Sequence, residues 1–90
     1  MPYSSEAFKQ DVIHHLLSTI KPNHKVLDVG AGAGRYGRAL QDYVYIDAVE
    51  IYEPYIEKFN LHEIYNNVYN INILAFDFSS YDYIIMGDIL

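Results

Sequence analysis

Near the start of the chain, apolar residues recur at three- and four-residue steps through Phe8, Val12, Ile13, Leu16, Leu17 and Ile20. That spacing draws a single stripe along an amphipathic helix. Ser4 and Ser5 precede it as candidate caps. Lys21-Pro22-Asn23-His24 closes it, because proline cannot continue a helix. The pattern then changes. Lys25-Val26-Leu27-Asp28-Val29 reads as a short buried strand, and Gly30-Ala31-Gly32-Ala33-Gly34 as a loop. Helical spacing resumes from Arg35 to about Asp42 through Tyr36, Ala39 and Leu40.

The second half repeats the alternation. Tyr45-Ile46-Asp47-Ala48-Val49 is the next strand, ending at Glu50. Pro54 suits the first turn of a following helix that turns Tyr55, Ile56, Phe59 and Leu61 inward. Asn66-Asn67 marks a turn, and Val68 to Ile73 forms a strand whose asparagines interrupt the apolar pattern. Phe78-Ser79-Ser80 is a loop before a last strand, Tyr81 to Met86, apolar enough to lie inside a sheet. Gly87-Asp88 breaks that strand. Strands alternating with helices at this spacing predict an α/β fold, a parallel sheet with right-handed crossovers. The last strand then leaves an open edge, which predicts a homo-oligomer that covers it.

Composition narrows the function classes. Six basic against twelve acidic residues give a formal charge of −6. That excludes a basic nucleic-acid footprint and attraction to an anionic membrane surface. The chain has no cysteine, so neither disulfides nor thiolate metal sites hold this small fold together. The first residues lack the basic start and apolar stretch of a signal peptide, and a cytoplasmic protein is expected.

The segment from Val26 to Gly34 carries the chemistry. A strand, three glycines at alternate positions and then a helix bring bare backbone N–H groups and a positive dipole end to one point. Two ligand readings compete. Gly32-Ala33-Gly34-Arg35-Tyr36-Gly37 matches the dinucleotide fingerprint G-x-G-x-x-G, with Glu50 available to a ribose hydroxyl. Asp28 opposes that reading, since a carboxylate beside a pyrophosphate costs about 1 to 4 kcal/mol per charge pair. A cationic ligand reverses the sign, and S-adenosylmethionine, with an ammonium, a sulfonium and no phosphate, suits Asp28.

The same residues carry a family resemblance. Val26-Leu27-Asp28-Val29-Gly30-Ala31-Gly32-Ala33-Gly34 resembles the first motif of the class I S-adenosylmethionine-dependent methyltransferases, hh(D/E)hGxGxG with h apolar. Val49-Glu50-Ile51 resembles the second, and Tyr81 to Leu90 looks like the fourth strand and its following loop. The resemblance implies a Rossmann-like fold with strand order 3-2-1-4. It also implies one incomplete methyltransferase domain over 1–90, with a leading helix over 1–22 and a cofactor-binding half over 24–90. Carried over by residue, Gly30, Gly32 and Gly34 pass under the methionine part of S-adenosylmethionine, and Asp28 sits near its amino group. Glu50 accepts both ribose hydroxyls, and Ile51 packs on the adenine. Asn72 stands where family members often place an aspartate that accepts from the adenine amino group.

Gly87 and Asp88 fall where the resemblance puts the transferred methyl, which leaves Asp88 as the candidate base. The (D/N)-P-P-(Y/F) stretch of amino-methylating nucleic-acid enzymes is missing there, and a small-molecule acceptor is expected; with the acidic charge, no direct nucleic-acid or membrane partner is. A non-catalytic S-adenosylmethionine-binding or regulatory module is the alternative of a different class, with an NAD-binding domain as a third. Metal binding is not expected. His14 and His15 point about 100° apart on a helix, and His24 and His62 are isolated. Tyr43, Tyr45, Tyr81 and Tyr83, among ten tyrosines, suit strand packing. Arg35 and Arg38 suit solvation or pairing with Asp42.

Overall fold

Strand β1, Lys25–Val29, is buried from Val26 onward, as a run of apolar residues in mid-sheet requires. A computed structural model describes the backbone of residues 6–86 and the side chains of residues 13–86. Strand β2, Tyr45–Val49, pairs with β1 in parallel from Lys25↔Tyr45 to Val29↔Val49. Strand β3, Val68–Tyr69, lies on the far side of β2, and β4, Tyr83–Ile85, pairs with the other edge of β1. All neighbours are parallel, and the order is β3-β2-β1-β4. The fold is an α/β, Rossmann-like sheet with flanking helices.

The strand period of two sorts the side chains onto two faces. Val26, Ile46, Ala48 and Ile85 join one core, to which Ile13, Ile20, Tyr36, Leu40, Ile56 and Leu61 contribute from the helical segments and their ends. Leu27, Val29 and Val49 form a second cluster on the opposite face, covered by Ile73, Phe76, Phe78 and Tyr81. One face is therefore roofed by helices, and the other mainly by the aromatic segment between β3 and β4.

The helical roof consists of α1 (Glu6–Thr19), α2 (Arg35–Leu40), α3 (Glu53–Lys58) and α4 (Leu61–Ile64). Ser4, Ser5 and the side chains of Phe8 and Val12 lie outside the described residues. Leu17, expected on the inward stripe, is 39% exposed, while Ile13 and Ile20 are buried. After α1 the backbone N–H of Lys21 donates to His24 Nδ1 at 3.0 Å, so the isolated histidine holds the turn before β1. The helix expected to run past Pro54 to Leu61 is two helices. Asn60 sits between them at φ 53°, a left-handed conformation that asparagine tolerates better than most residues.

Two strands are shorter than their apolar runs. The predicted strand from Val68 to Ile73 pairs only over Val68–Tyr69. Asn70 Nδ2 donates to the carbonyls of Glu50 and Ile51 at 2.8 and 3.0 Å. A 3₁₀ turn at Ile73–Ala75 follows. Asparagine side chains offer the backbone an alternative to the ladder, and here they take it. The last strand begins at Tyr83 instead of Tyr81, because Asp82 is occupied in closing onto Lys25. The Asp82 N–H donates to the Lys25 carbonyl and its Oδ2 accepts from the Lys25 N–H, both at 2.8 Å. Tyr43, expected to pack, is 61% exposed.

Candidate functional site

Beyond the carboxyl ends of β1 and β2, where ligands bind in open α/β sheets, lies a cleft of about 370 Å³. That volume is at the lower end of the range for small-molecule sites, roughly 300–1,000 Å³. Val29, Gly30 and Gly32 contribute from the first strand and its loop, and Val49, Glu50 and Ile51 from the second. Ile71, Asn72 and Ile73 close it from the segment after β3, with Tyr55 from α3. The walls are largely apolar and the polar groups few, which suits a ligand with a flat ring and a small number of fixed hydroxyl or amino contacts.

Glu50 is the anchor of this cleft. It is only 5% exposed, yet it lines the cavity. Its Oε1 accepts from the Gly32 N–H at 2.7 Å and its Oε2 from the Tyr52 N–H at 3.0 Å. Each carboxylate oxygen thus takes one backbone donor, and a carboxylate offers about four lone-pair positions in all. The side chain is held in one orientation and keeps acceptor capacity for a ligand. Asn70 holds the same corner from below through the Glu50 and Ile51 carbonyls.

The three loop glycines are all left-handed, with φ of 70° at Gly30, 53° at Gly32 and 79° at Gly34. An L side chain is strained there, so the sequence spacing meets a backbone requirement as well as a need for room. Their positions differ. Gly30 and Gly32 line the cleft, and a Cβ at Gly32 would meet nothing closer than 3.9 Å. Gly34 precedes α2, where a Cβ would lie 3.0 Å from Ile64 and 3.2 Å from Leu61. It serves the approach of α2 to α4 and lies away from the cleft lining.

Asp28 is also absent from that lining. Its carboxylate is fully buried on the helical face, where Oδ2 accepts from the Tyr65 hydroxyl at 2.6 Å. The same hydroxyl accepts from the Gly37 N–H at 3.2 Å. A Cβ at Gly37 would fall 2.4 Å from the Tyr65 ring, so glycine permits this contact. Asp28 therefore ties the strand under the glycine loop to α2 and to the residue after α4. Its carboxylate lies outside the cleft lining, which weakens the repulsion argument against a phosphate-bearing ligand.

Asn72 stands in the cleft with its carbonyl engaged, Oδ1 accepting from the Leu74 N–H at 2.9 Å as the cap of the 3₁₀ turn. Gly87 and Asp88 lie outside the described residues. Of the expected site residues, the structure brings Gly30, Gly32, Glu50, Ile51 and Asn72 to one cavity. Sequence reasoning missed Tyr55, Ile71 and Ile73 there, and the hydroxyl of Tyr65 beneath. The alternation of Ile71 and Ile73 around Asn72 was the available signal for two of them. Nothing local marks Tyr65, which is 37 residues from its carboxylate partner.

A second buried carboxylate lies on the opposite face. Asp47 Oδ2 accepts from the Tyr81 hydroxyl at 2.6 Å and its Oδ1 from Asn67 Nδ2 at 3.1 Å. Lys25 Nζ sits over the rings of Tyr45 and Tyr81 at 5.2 and 4.8 Å. Burial, then the hydrogen bond to Asp47, pushes the Tyr81 hydroxyl far above the usual tyrosine range. Burial and the Asp47 charge raise Tyr45 as well. In the loop before β4, the Ser79 N–H donates to Asp77 and holds its carboxyl below the ordinary value.

No protein-family model matches the chain, and no curated protein matches it by sequence. Solved structures do. YcgJ from Bacillus subtilis superposes with a TM-score of 0.63 at 25% identity, over 83% of this chain and 36% of that one. YjhP from E. coli gives 0.57 at 12% identity, over 86% of this chain and 33% of that one. Both have a Rossmann-like, methyltransferase-type fold. This chain spans about a third of the length of each. Among the described residues, no helix is long and apolar enough to cross a membrane.

Proposed function

We propose that the cleft binds S-adenosylmethionine and that the chain is the cofactor-binding portion of a class I methyltransferase acting on a small-molecule acceptor. The observation that carries the reading is Glu50. It is a nearly buried carboxylate at the end of β2, with both oxygens fixed by backbone N–H groups and lone pairs to spare beside a left-handed glycine loop. Such a group accepts from a vicinal diol, the donor pair that a ribose offers. Gly30 and Gly32 let the chain pass close under the ligand, and Ile51, Ile71 and Ile73 provide apolar walls for its ring.

Bound there, S-adenosylmethionine supplies an electrophilic methyl group on a sulfonium. The protein's part in such a transfer is chiefly positioning, with nucleophile and methyl held in line at near-attack distance. Glu50 and the glycine loop fix one end of that arrangement. In this reading Asp88, at the position that the family resemblance puts near the transferred methyl, is the group that takes the acceptor's proton. The methyltransferase-type fold of the structural neighbours supports the reading.

The test is calorimetric titration of the chain with S-adenosylmethionine, S-adenosylhomocysteine and NAD, beside Glu50→Ala and Glu50→Gln. Micromolar binding of the adenosyl ligands is expected. It should weaken by about 1.5–3 kcal/mol in Glu50→Ala, and less in Glu50→Gln, which keeps one acceptor. Thermal melts of both variants separate a lost contact from a lost fold. Heat from NAD alone would select the dinucleotide reading, and no heat from any ligand would overturn the proposal.

A further inference from the structure

Two of the chain's six basic residues converge on one groove. Arg35 and Arg38 line a cavity of about 340 Å³ between α1 and α2. They stand three residues apart on α2, a spacing that puts both side chains on one face of a helix. Ile13, Ala33 and Ala39 supply the rest of the wall, and among the described residues no carboxylate lines it. Arg38 is exposed and forms no ion pair among the described residues, so the pairing with Asp42 that the sequence allows is not made. Arg35 is half-buried, and a guanidinium carries five N–H donors, enough to hold an oxyanion beside a protein contact. The chain's negative balance does not cancel these two charges. Screening limits the reach of a surface charge to about 8 Å at physiological salt, so the groove's own groups decide. The groove also adjoins the cleft across the glycine loop, since Gly32 lines the one and Ala33 the other.

We propose that Arg35 and Arg38 form an anion subsite, and that the methyl acceptor is a small molecule whose phosphate or carboxylate group sits there. The inference rests on the methyltransferase reading above and adds the acceptor's charge class to it. A guanidinium fork matches two oxygens of either group and sheds its water more readily than an ammonium does. The apolar wall beside the arginines receives the uncharged part of the same molecule. Holding the acceptor by its charged end restricts its orientation, the main requirement for an in-line transfer.

NMR titration with inorganic phosphate tests this, on the chain alone and on the chain saturated with S-adenosylhomocysteine, with the Arg35 and Arg38 Nε–H signals as the readout. Both signals should shift along one saturation curve. In Arg38→Gln the affinity read at Arg35 should fall by about fivefold to tenfold, and Arg35→Gln should do the same to the curve read at Arg38. Because Arg38 is exposed, Arg38→Gln should melt with the wild type. S-adenosylhomocysteine should leave the phosphate affinity unchanged. Shifts that do not saturate, or that follow separate curves at the two arginines, overturn the subsite. Competition between phosphate and S-adenosylhomocysteine would assign the groove to that ligand's own carboxylate and overturn the acceptor assignment. If phosphate saturates both arginines while S-adenosylhomocysteine does not bind, the methyltransferase reading falls and takes the acceptor assignment with it, and the anion site stands.

Discussion

The two faces of the sheet each bury one aspartate, and each aspartate accepts a tyrosine hydroxyl at 2.6 Å. Asp28 on the helical face is paired with Tyr65, and Asp47 on the aromatic face with Tyr81. A motif singles out the first and passes over the second, yet the immediate surroundings of the two carboxylates are alike. The difference lies one step further out. Tyr65 also accepts from Gly37 and so joins β1 to α2, which carries the glycine loop. Tyr81 shares its carboxylate with Asn67 and lies under Lys25 at the side of the sheet away from the helices. A buried acidic residue is thus no sign of function by itself. What matters is which backbone its partner also holds.

The comparison makes an energetic claim. In Tyr65→Phe, Asp28 loses a donor and the Gly37 N–H an acceptor, both in fully or nearly fully buried surroundings. With roughly 1–3 kcal/mol for each buried polar group so affected, the variant should unfold with about 3 kcal/mol less free energy. Denaturant melts read this directly, and their slope checks that the native state remains compact. A loss below about 1 kcal/mol would mean that the helical face does not depend on this bridge.

Tyr81→Phe should cost less, about 1–2 kcal/mol, because Asp47 keeps its hydrogen bond from Asn67 and Tyr81 itself is only half-buried. The decisive quantity is the difference between the two variants measured under one set of conditions. Equal losses, or a larger loss at Tyr81, would break the contrast between the faces.

Much of this arrangement was legible along the chain. Lys25–Val29 and Tyr45–Val49 are strands at the bounds their apolar runs predict, their parallel pairing follows from the alternation with helices, and the strand order is the one the family resemblance implies. Local chemistry sufficed there, since a buried central strand permits few other patterns. It also sufficed for the glycine loop, where spacing and positive φ agree. It failed where side chains bond to a distant backbone. Asn70 ends β3 by reaching the carbonyls after β2, and Asp82 delays β4 by closing onto Lys25. The Asp28–Tyr65 bridge spans 37 residues and becomes visible only once α4 is placed. The single helix expected after Pro54 failed for another reason, the tolerance of Asn60 for a left-handed turn, which propensity alone does not reveal.

The smallest expected effect concerns alkaline pH and is read on the aromatic face. Tyr81 and Tyr45 both have hydroxyls whose pKa is raised in the folded chain, by burial first and then by Asp47. In the unfolded chain tyrosine loses its proton near pH 10. Between that value and the higher folded ones, the unfolded state binds fewer protons than the native state, so stability must fall as pH rises. The contribution of these residues is fully present below about pH 10 and declines above it. Unfolding free energies measured from about pH 9 to 11 should therefore slope downward, and the slope should be shallower in Tyr81→Phe, which removes one of the titrating hydroxyls. If Tyr81→Phe left the alkaline slope unchanged, the proton held between Tyr81 and Asp47 would contribute nothing to stability, and the two faces would differ in geometry only.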